Sequence, residues 1–233
     1  MPGAFDGGFR FVCLTDDPSG LLPEVEHFPI PDMGLSEFDW NKGGWAKLSV
    51  FKEELYDIKG RCLFVDLDSV VTGQLDDLFE APGDVIVIDC SENWQNPEAN
   101  VTPSSMTSIF AFTVGQHPEV YERFMADHQG MVGKYRIEQV FLQGEINEGG
   151  LAFWPREWFC SFKWHLRRPA LVGLLRAPME APDNCRVIAF HGDPRPIDLV
   201  RPGIWGIGPH WGRGRVPWAV DYWRRHGGDP DRD

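Results

Sequence analysis

An apolar run, Leu63-Phe64-Val65, stops at two carboxylates, Asp66 and Asp68, and apolar sequence resumes at once with Val70-Val71. No other segment constrains the fold as tightly. Cys62 to Val65, with acidic residues directly behind it, has the form of a central parallel strand running out to the carboxyl edge of a sheet. Ligand sites of open α/β sheets gather at that edge. If the backbone stays extended past Val65, side chains two apart share a face, so Asp66 and Asp68 point one way and Leu67 the other. A bare Asp-x-Asp can do no more than begin a turn. Here core-forming sequence stands on both sides, continuing from Val70 to Phe79, and holds the carboxylates in place. Two hard oxygen ligands of this kind suit magnesium or manganese, which bind through one or two carboxylates and complete their shells with phosphate oxygens and water.

The flanking sequence reads as mixed α/β. Phe9 to Leu14 predicts a buried strand closed by the turn cluster Thr15-Asp16-Asp17-Pro18. Trp45, Leu48, Phe51, Leu55 and Ile58 recur at spacings of three and four, which predicts an amphipathic helix over 45–58 closed by Gly60. Further strands are expected at Val85 to Ile88, Ser108 to Val114 and Val187 to Phe190, and helices at Pro118 to His128 and Arg136 to Gln143. The expected fold class is α/β: one domain over 1–233, with a mixed, mostly parallel sheet flanked by helices. Residues 203–233, rich in Gly, Pro, Trp and Arg, read as a loop-rich tail with a short terminal helix, frayed after Gly227.

The net charge of -13 argues against a nucleic-acid partner, because phosphate backbones need a basic face. That average hides an asymmetry: residues 1–155 carry 9 Lys+Arg against 26 Asp+Glu, and residues 156–225 carry 12 against 6. An acidic part for a cation and a basic part for phosphate suit a diphosphate substrate, although two ordinary solvated faces give the same count. The five cysteines are scattered and include no CxxC pair, so neither a disulfide framework nor a structural zinc site is expected. No apolar stretch approaches the roughly 20 residues of a membrane span. Met1 to Gly8 has no signal-peptide pattern, and the expected compartment is the cytoplasm.

Three segments, WAKLSVFKEEL at 45–55, LFVDLDSVVTGQLDDLF at 63–79 and FHGDPRP at 190–196, resemble bacterial glycosyltransferases related to family 8, of the GT-A fold. The resemblance spans roughly residues 9 to 200 and implies a single nucleotide-sugar-binding domain. It implies transfer of a sugar, hexosyl in type and with retention at the anomeric carbon, from a nucleotide-sugar such as a UDP-sugar. The acceptor would be a glycan, lipid or protein. By the same resemblance Asp66 and Asp68 hold manganese, with magnesium the alternative. Lys47 contacts the donor, and Glu138 and Gln139 match the Asp-Gln start of a helix beside the donor and acceptor. This chain has Ala189 where the family commonly places its ligand histidine. His191 is then the candidate third metal ligand, and it equally suits a hydrogen-bonded structural role. Gly192 and Arg195 correspond to the diphosphate contact; a guanidinium beside a Gly turn can fork onto two phosphate oxygens. Phe9 to Leu14 matches the family's second strand, which implies a domain incomplete at its N-terminus.

Two other readings stand beside this one. FVDLDSVVT also resembles the strand-borne pair of haloacid-dehalogenase-type phosphohydrolases, with Asp66 as nucleophile, although that family carries the pair on its first strand. A catalytically silent GT-A-like binding domain is the other, motivated by Ala189 and the missing strand. Trp154, Trp158 and Trp164 could stack on a sugar ring or pack in the core.

Overall fold

The structure, a computed structural model, describes residues 8–94, 104–146 and 150–231. Two strands carry its centre. β5 (Val85–Asp89) is buried along its whole length, and β6 (Ser105–Thr113) along nearly all of its own. Their alternating side chains feed two cores, as the period of two in a strand requires. Val85, Val87, Phe110 and Phe112 face a helical layer, where they meet Trp45, Leu48, Phe51, Phe124 and Phe141. Ile86, Ile88, Ile109 and Ala111 face the other way, onto Leu78, Trp154, Phe159, Val187 and Ala189.

Strands β1 (Val12–Leu14) and β2 (Glu26–Phe28) pair with each other at the start of the described chain. β3 (Arg61–Val65) and β7 (Leu151–Phe153) edge the main sheet, whose order is β3-β6-β5-β7. A second sheet, β4 (Ser69–Val71), β9 (Val187–Ala189) and β8 (Phe159–Ser161), packs beneath it. Its far face contributes Val70, Cys160 and Ile188 to a third core, with Phe162, Phe190, Leu199, Val200 and the C-terminal helix Pro217–Arg225. The layers are therefore helices, sheet, sheet and helix, and the chain passes from the first sheet to the second through Asp66-Leu67-Asp68.

The α/β class and the mixed pairing are as expected; the preponderance of parallel strands is not. β3–β6, β5–β6 and β4–β9 are antiparallel, and β5–β7 and β8–β9 parallel, so the sheets are mixed rather than mostly parallel. β3 is an antiparallel edge strand, not a central parallel one. An apolar run reports burial on both faces and says nothing of its neighbour's direction, which is why the sequence misleads here.

Other differences are local. The expected helix over 45–58 is a 3-10 helix, Trp45–Phe51, followed by turns around a left-handed Tyr56. Trp45, Leu48 and Phe51 are three apart, the repeat of a 3-10 helix as much as one face of an α-helix. After the short helices α1 (Glu37–Trp40) and α2 (Asp76–Glu80), the predicted helix from Pro118 becomes α3 (Pro118–Ala126), and α4 (His128–Tyr135) follows it directly. α5 is Glu138–Glu145. The tail holds a hairpin, Ile204–Trp205 with Gly212–Arg213. Residues beyond Gly227 are not frayed as far as they are described: Arg215 donates to Pro230 O at 2.9 Å and pairs with Asp231 at 2.7 Å.

Candidate active site at the acidic turn

After Val65 the backbone does not stay extended. The Ser69 amide donates to Asp66 O at 3.0 Å, closing a tight turn with Leu67 at its tip, 96% exposed. Main-chain bonds fix both ends: Asp66 N donates to Ser108 O at 2.8 Å, and Phe190 N donates to Asp68 O at 3.0 Å. The turn is thus stitched to β6 on one side and to the segment after β9 on the other.

Three charged residues from distant parts of the chain gather at this turn: Lys47, Glu138 and Arg195. Lys47, from the 3-10 helix, places its Nζ 2.6 Å from Asp66 Oδ2, 3.3 Å from Thr107 O and 3.6 Å from Glu138 Oε1. Glu138 opens α5, is buried, and accepts from the Thr107 hydroxyl. Its approach requires a glycine opposite: a Cβ on Gly44 would stand 2.8 Å from Glu138 Oε2, and Gly44 has φ +70, which L side chains rarely adopt. Asp68 pairs with Arg195, whose own amide donates to Asp198 Oδ2 at 2.7 Å and so anchors the Gly192–Arg195 loop. Gly192, φ +83, has open space around its Cα, so backbone conformation and not crowding calls for glycine there.

Electrostatically the site is strained. Burial pushes the Asp66 carboxyl up to about 6; Lys47 opposes the rise, and Asp68 and Glu138 add to it. Burial also raises Asp68 against the pull of Arg195 and Lys47. Each of the two aspartates keeps about a fifth of its side chain in solvent, 20% and 19%. Each carboxylate is paired with a cation and still lies above its ordinary range, because burial outweighs the pairing.

The structure therefore brings Lys47, Asp66, Asp68, Glu138 and Arg195 together. Gln139 follows Glu138 at the start of α5, half-buried, and its carbonyl accepts from the Ser105 hydroxyl at 2.8 Å. His191 is drawn elsewhere: its Nε2 lies 2.7 Å from Ser161 Oγ and its ring meets Trp94 edge-on at 6.4 Å. Burial, followed by Lys163 and Arg167, lowers its pKa, which keeps the imidazole neutral at pH 7. Among the described residues no three His, Cys, Asp or Glu side chains gather where they could hold a metal ion. The carboxylate pair still fits a hard divalent cation, since magnesium and manganese need one or two protein carboxylates when a diphosphate supplies further oxygens. Of the tryptophans, Trp154 is core, Trp158 lies under Arg186, and Trp164 is 40% exposed.

Sequence reasoning missed Thr107, Ser105 and Gln143. Thr107 holds Glu138, and Gln143 Oε1 accepts from the Ser105 amide at 3.0 Å, tying β6 to α5. Polar residues inside the apolar strand β6 were the one available signal. A cavity of about 460 Å³ opens apart from the acidic turn, lined by Asp89, Ser91, Trp94, Arg156, Cys160 and His165 among others. None of the sequence-predicted donor residues lines it.

No protein-family model matches the sequence, and no curated protein matches it. Among solved structures the chain is similar to the glycosyltransferase GlyE of Streptococcus pneumoniae TIGR4, with TM-score 0.50 and 10% identity over 89% of this chain and 48% of that one. The apo form of GlyE gives TM-score 0.50 and 12% identity over 89% and 47%. The galactosyltransferase LgtC, solved in complex with donor and acceptor sugar analogs, aligns at TM-score 0.49 and 14% identity over 90% of this chain and 78% of that one. This chain spans about half the length of the GlyE chain. At such identities the likeness to GlyE is one of fold, a mixed α/β arrangement of GT-A-like type.

Proposed function

We propose that this chain is a metal-dependent glycosyltransferase that moves a hexosyl group from a UDP-sugar to an acceptor, with retention at the anomeric carbon. The observation that carries the proposal is the convergence of Lys47, Glu138 and Arg195 on Asp66 and Asp68 at one end of β3. The GT-A-like fold supports the donor class.

Asp66 and Asp68 are the residues that would hold manganese or magnesium. When bound, such an ion neutralises charge growing on the departing diphosphate. Arg195, half exposed on its loop, can present two N–H donors to phosphate oxygens without ever losing its charge. Lys47 adds a compact positive charge from the buried side of the turn. Glu138, buried and bonded to Thr107, braces Lys47, and by the resemblance it and Gln139 would contact the sugar or acceptor. Most of the rate enhancement comes from this preorganised charge.

Calorimetry tests the reading: UDP should bind with heat that requires manganese, and a UDP-hexose should be consumed by the same protein. A folded protein that shows no metal-dependent binding would favour the silent-domain reading. Phosphate release from a phosphomonoester would favour the phosphohydrolase, which the place of Asp66 after β3, the third strand among the described residues, speaks against.

A further inference from the structure

Two segments, 163–179 and 201–215, carry seven Lys or Arg and no Asp or Glu, whereas the other 201 residues carry 15 against 35. They touch directly. The Ala170 amide donates to His210 Nδ1 at 3.2 Å, and a Cβ on Gly173 would stand 2.3 Å from the Trp211 carbonyl oxygen. The same segments expose large apolar side chains: Leu175 by 88%, Ile204 by 70%, Ile207 by 62% and Leu171 by 58%. Eight of the 17 exposed large hydrophobic residues among those described fall in these two stretches, so the exposure is clustered and not the ordinary scatter of a protein surface.

The arrangement of charge says what covers this face. Protein–protein interfaces separate an apolar centre from a polar rim. Here cations and apolar side chains interleave: Lys163 Nζ lies 5.5 Å from the Trp164 ring, Leu175 adjoins Arg176, and Ile204 faces Arg213 across the hairpin. The boundary between lipid headgroups and acyl chains accepts that mixture, with Arg and Lys among anionic headgroups and Trp, Leu and Ile below them. The rest of the chain is strongly acidic and would be repelled from an anionic surface, which leaves one orientation for approach. None of the described helices is long and apolar enough to cross a membrane, so the contact is one of lying on the surface.

We propose that the face built from 163–179 and 201–215 docks the protein peripherally on anionic phospholipid bilayers. The test is co-sedimentation of the chain with vesicles of phosphatidylcholine, with and without phosphatidylglycerol, in the absence of donor and metal. The wild type should bind the anionic vesicles only, and raising the salt should weaken binding about tenfold or more. Leu175→Glu with Ile207→Glu should abolish binding, and Arg176→Glu with Arg213→Glu should weaken it about tenfold. All four positions are exposed, and unchanged melting curves would show that the variants fold. Absence of wild-type binding, equal binding to neutral vesicles, or wild-type binding by both double variants would each overturn the proposal. So would a dimer, seen by light scattering, that Leu175→Glu with Ile207→Glu dissolves, since the face would then belong to a second copy.

Discussion

β3 and β5 both run antiparallel to β6, so Asp66 and Asp89 leave the same edge of one sheet, and each meets a cation there. The two pairs differ in how far the carboxylate is satisfied. Asp89 accepts from the Ser91 amide at 3.0 Å, the Ser91 hydroxyl at 2.7 Å, the Ser104 amide at 3.3 Å and Arg156 Nε at 2.7 Å. Burial pushes its pKa up, but these donors more than offset that and hold it below the usual carboxylate range. Asp66 is more exposed, 20% against 7%, yet its pKa rises to about 6. Among the described residues Lys47 is its one hydrogen-bond donor, and two other acids face it. Donor count, more than exposure, sets the charge each carboxylate can keep. One end of the sheet edge is a finished ion pair; the other keeps an under-satisfied carboxylate.

Breaking the finished pair should cost most. Arg156→Ala leaves Asp89 buried without its cation, and urea unfolding should show a loss of about 3–5 kcal/mol. Metal-dependent UDP binding at Asp66 should be unchanged in the fraction that remains folded. A loss below 1 kcal/mol would mean that the Ser91 and Ser104 donors satisfy Asp89 by themselves, and the difference between the two ends would shrink.

At the unfinished end the loss falls on function instead. Asp68→Ala should lower metal-dependent turnover about a hundredfold or more while the melting temperature holds or rises. Undiminished turnover in a well-folded variant would remove Asp68 from the site. Asp66→Asn probes the same end through pH. A carboxyl raised in the folded state gives stability that is fully present below its ordinary 3.8 and is lost as pH rises through about 6. Wild type should therefore lose roughly 3 kcal/mol relative to Asp66→Asn between acid and neutral pH. In wild type, metal-dependent UDP affinity should fall about tenfold from pH 7 to pH 5, as protons compete for Asp66. A flat difference in stability across that range would show that Asp66 keeps an ordinary pKa.

How much of this contrast could be read beforehand depended on whether a residue announces its environment by type. Asp66 and Asp68 are carboxylates set against apolar sequence and could be picked out as a pair, whereas Lys47 entered through the resemblance and Arg195 through the resemblance and its place beside a Gly turn. The under-satisfaction of Asp66 was not legible, because it depends on Glu138 arriving from α5 through a gap that Gly44 leaves open. Asp89 closed an apolar strand much as Asp66 did, and nothing in the sequence announced that Ser91, Ser104 and Arg156 would surround it. Strand direction was hidden for a related reason: burial shapes composition on both faces of β3, and pairing direction leaves no mark on it.

His191 lies between the two regions and tests the boundary with the smallest effect. By resemblance it is a third metal ligand; in the fold its Nε2 meets Ser161 Oγ at 2.7 Å, and His165, which accepts from the Ser161 amide at 2.9 Å, stacks on the same Trp94. That environment belongs with the satisfied network around Asp89, where a ring nitrogen already has its partner. His191→Asn should accordingly cost about 1 kcal/mol of stability, the worth of one buried hydrogen bond, and leave manganese affinity within about twofold of wild type. A tenfold loss of manganese affinity at unchanged stability would move His191 across the boundary. The acidic turn would then close its metal shell only by pulling His191 away from Ser161, which makes the Phe190–Arg195 segment the part of the site that must rearrange.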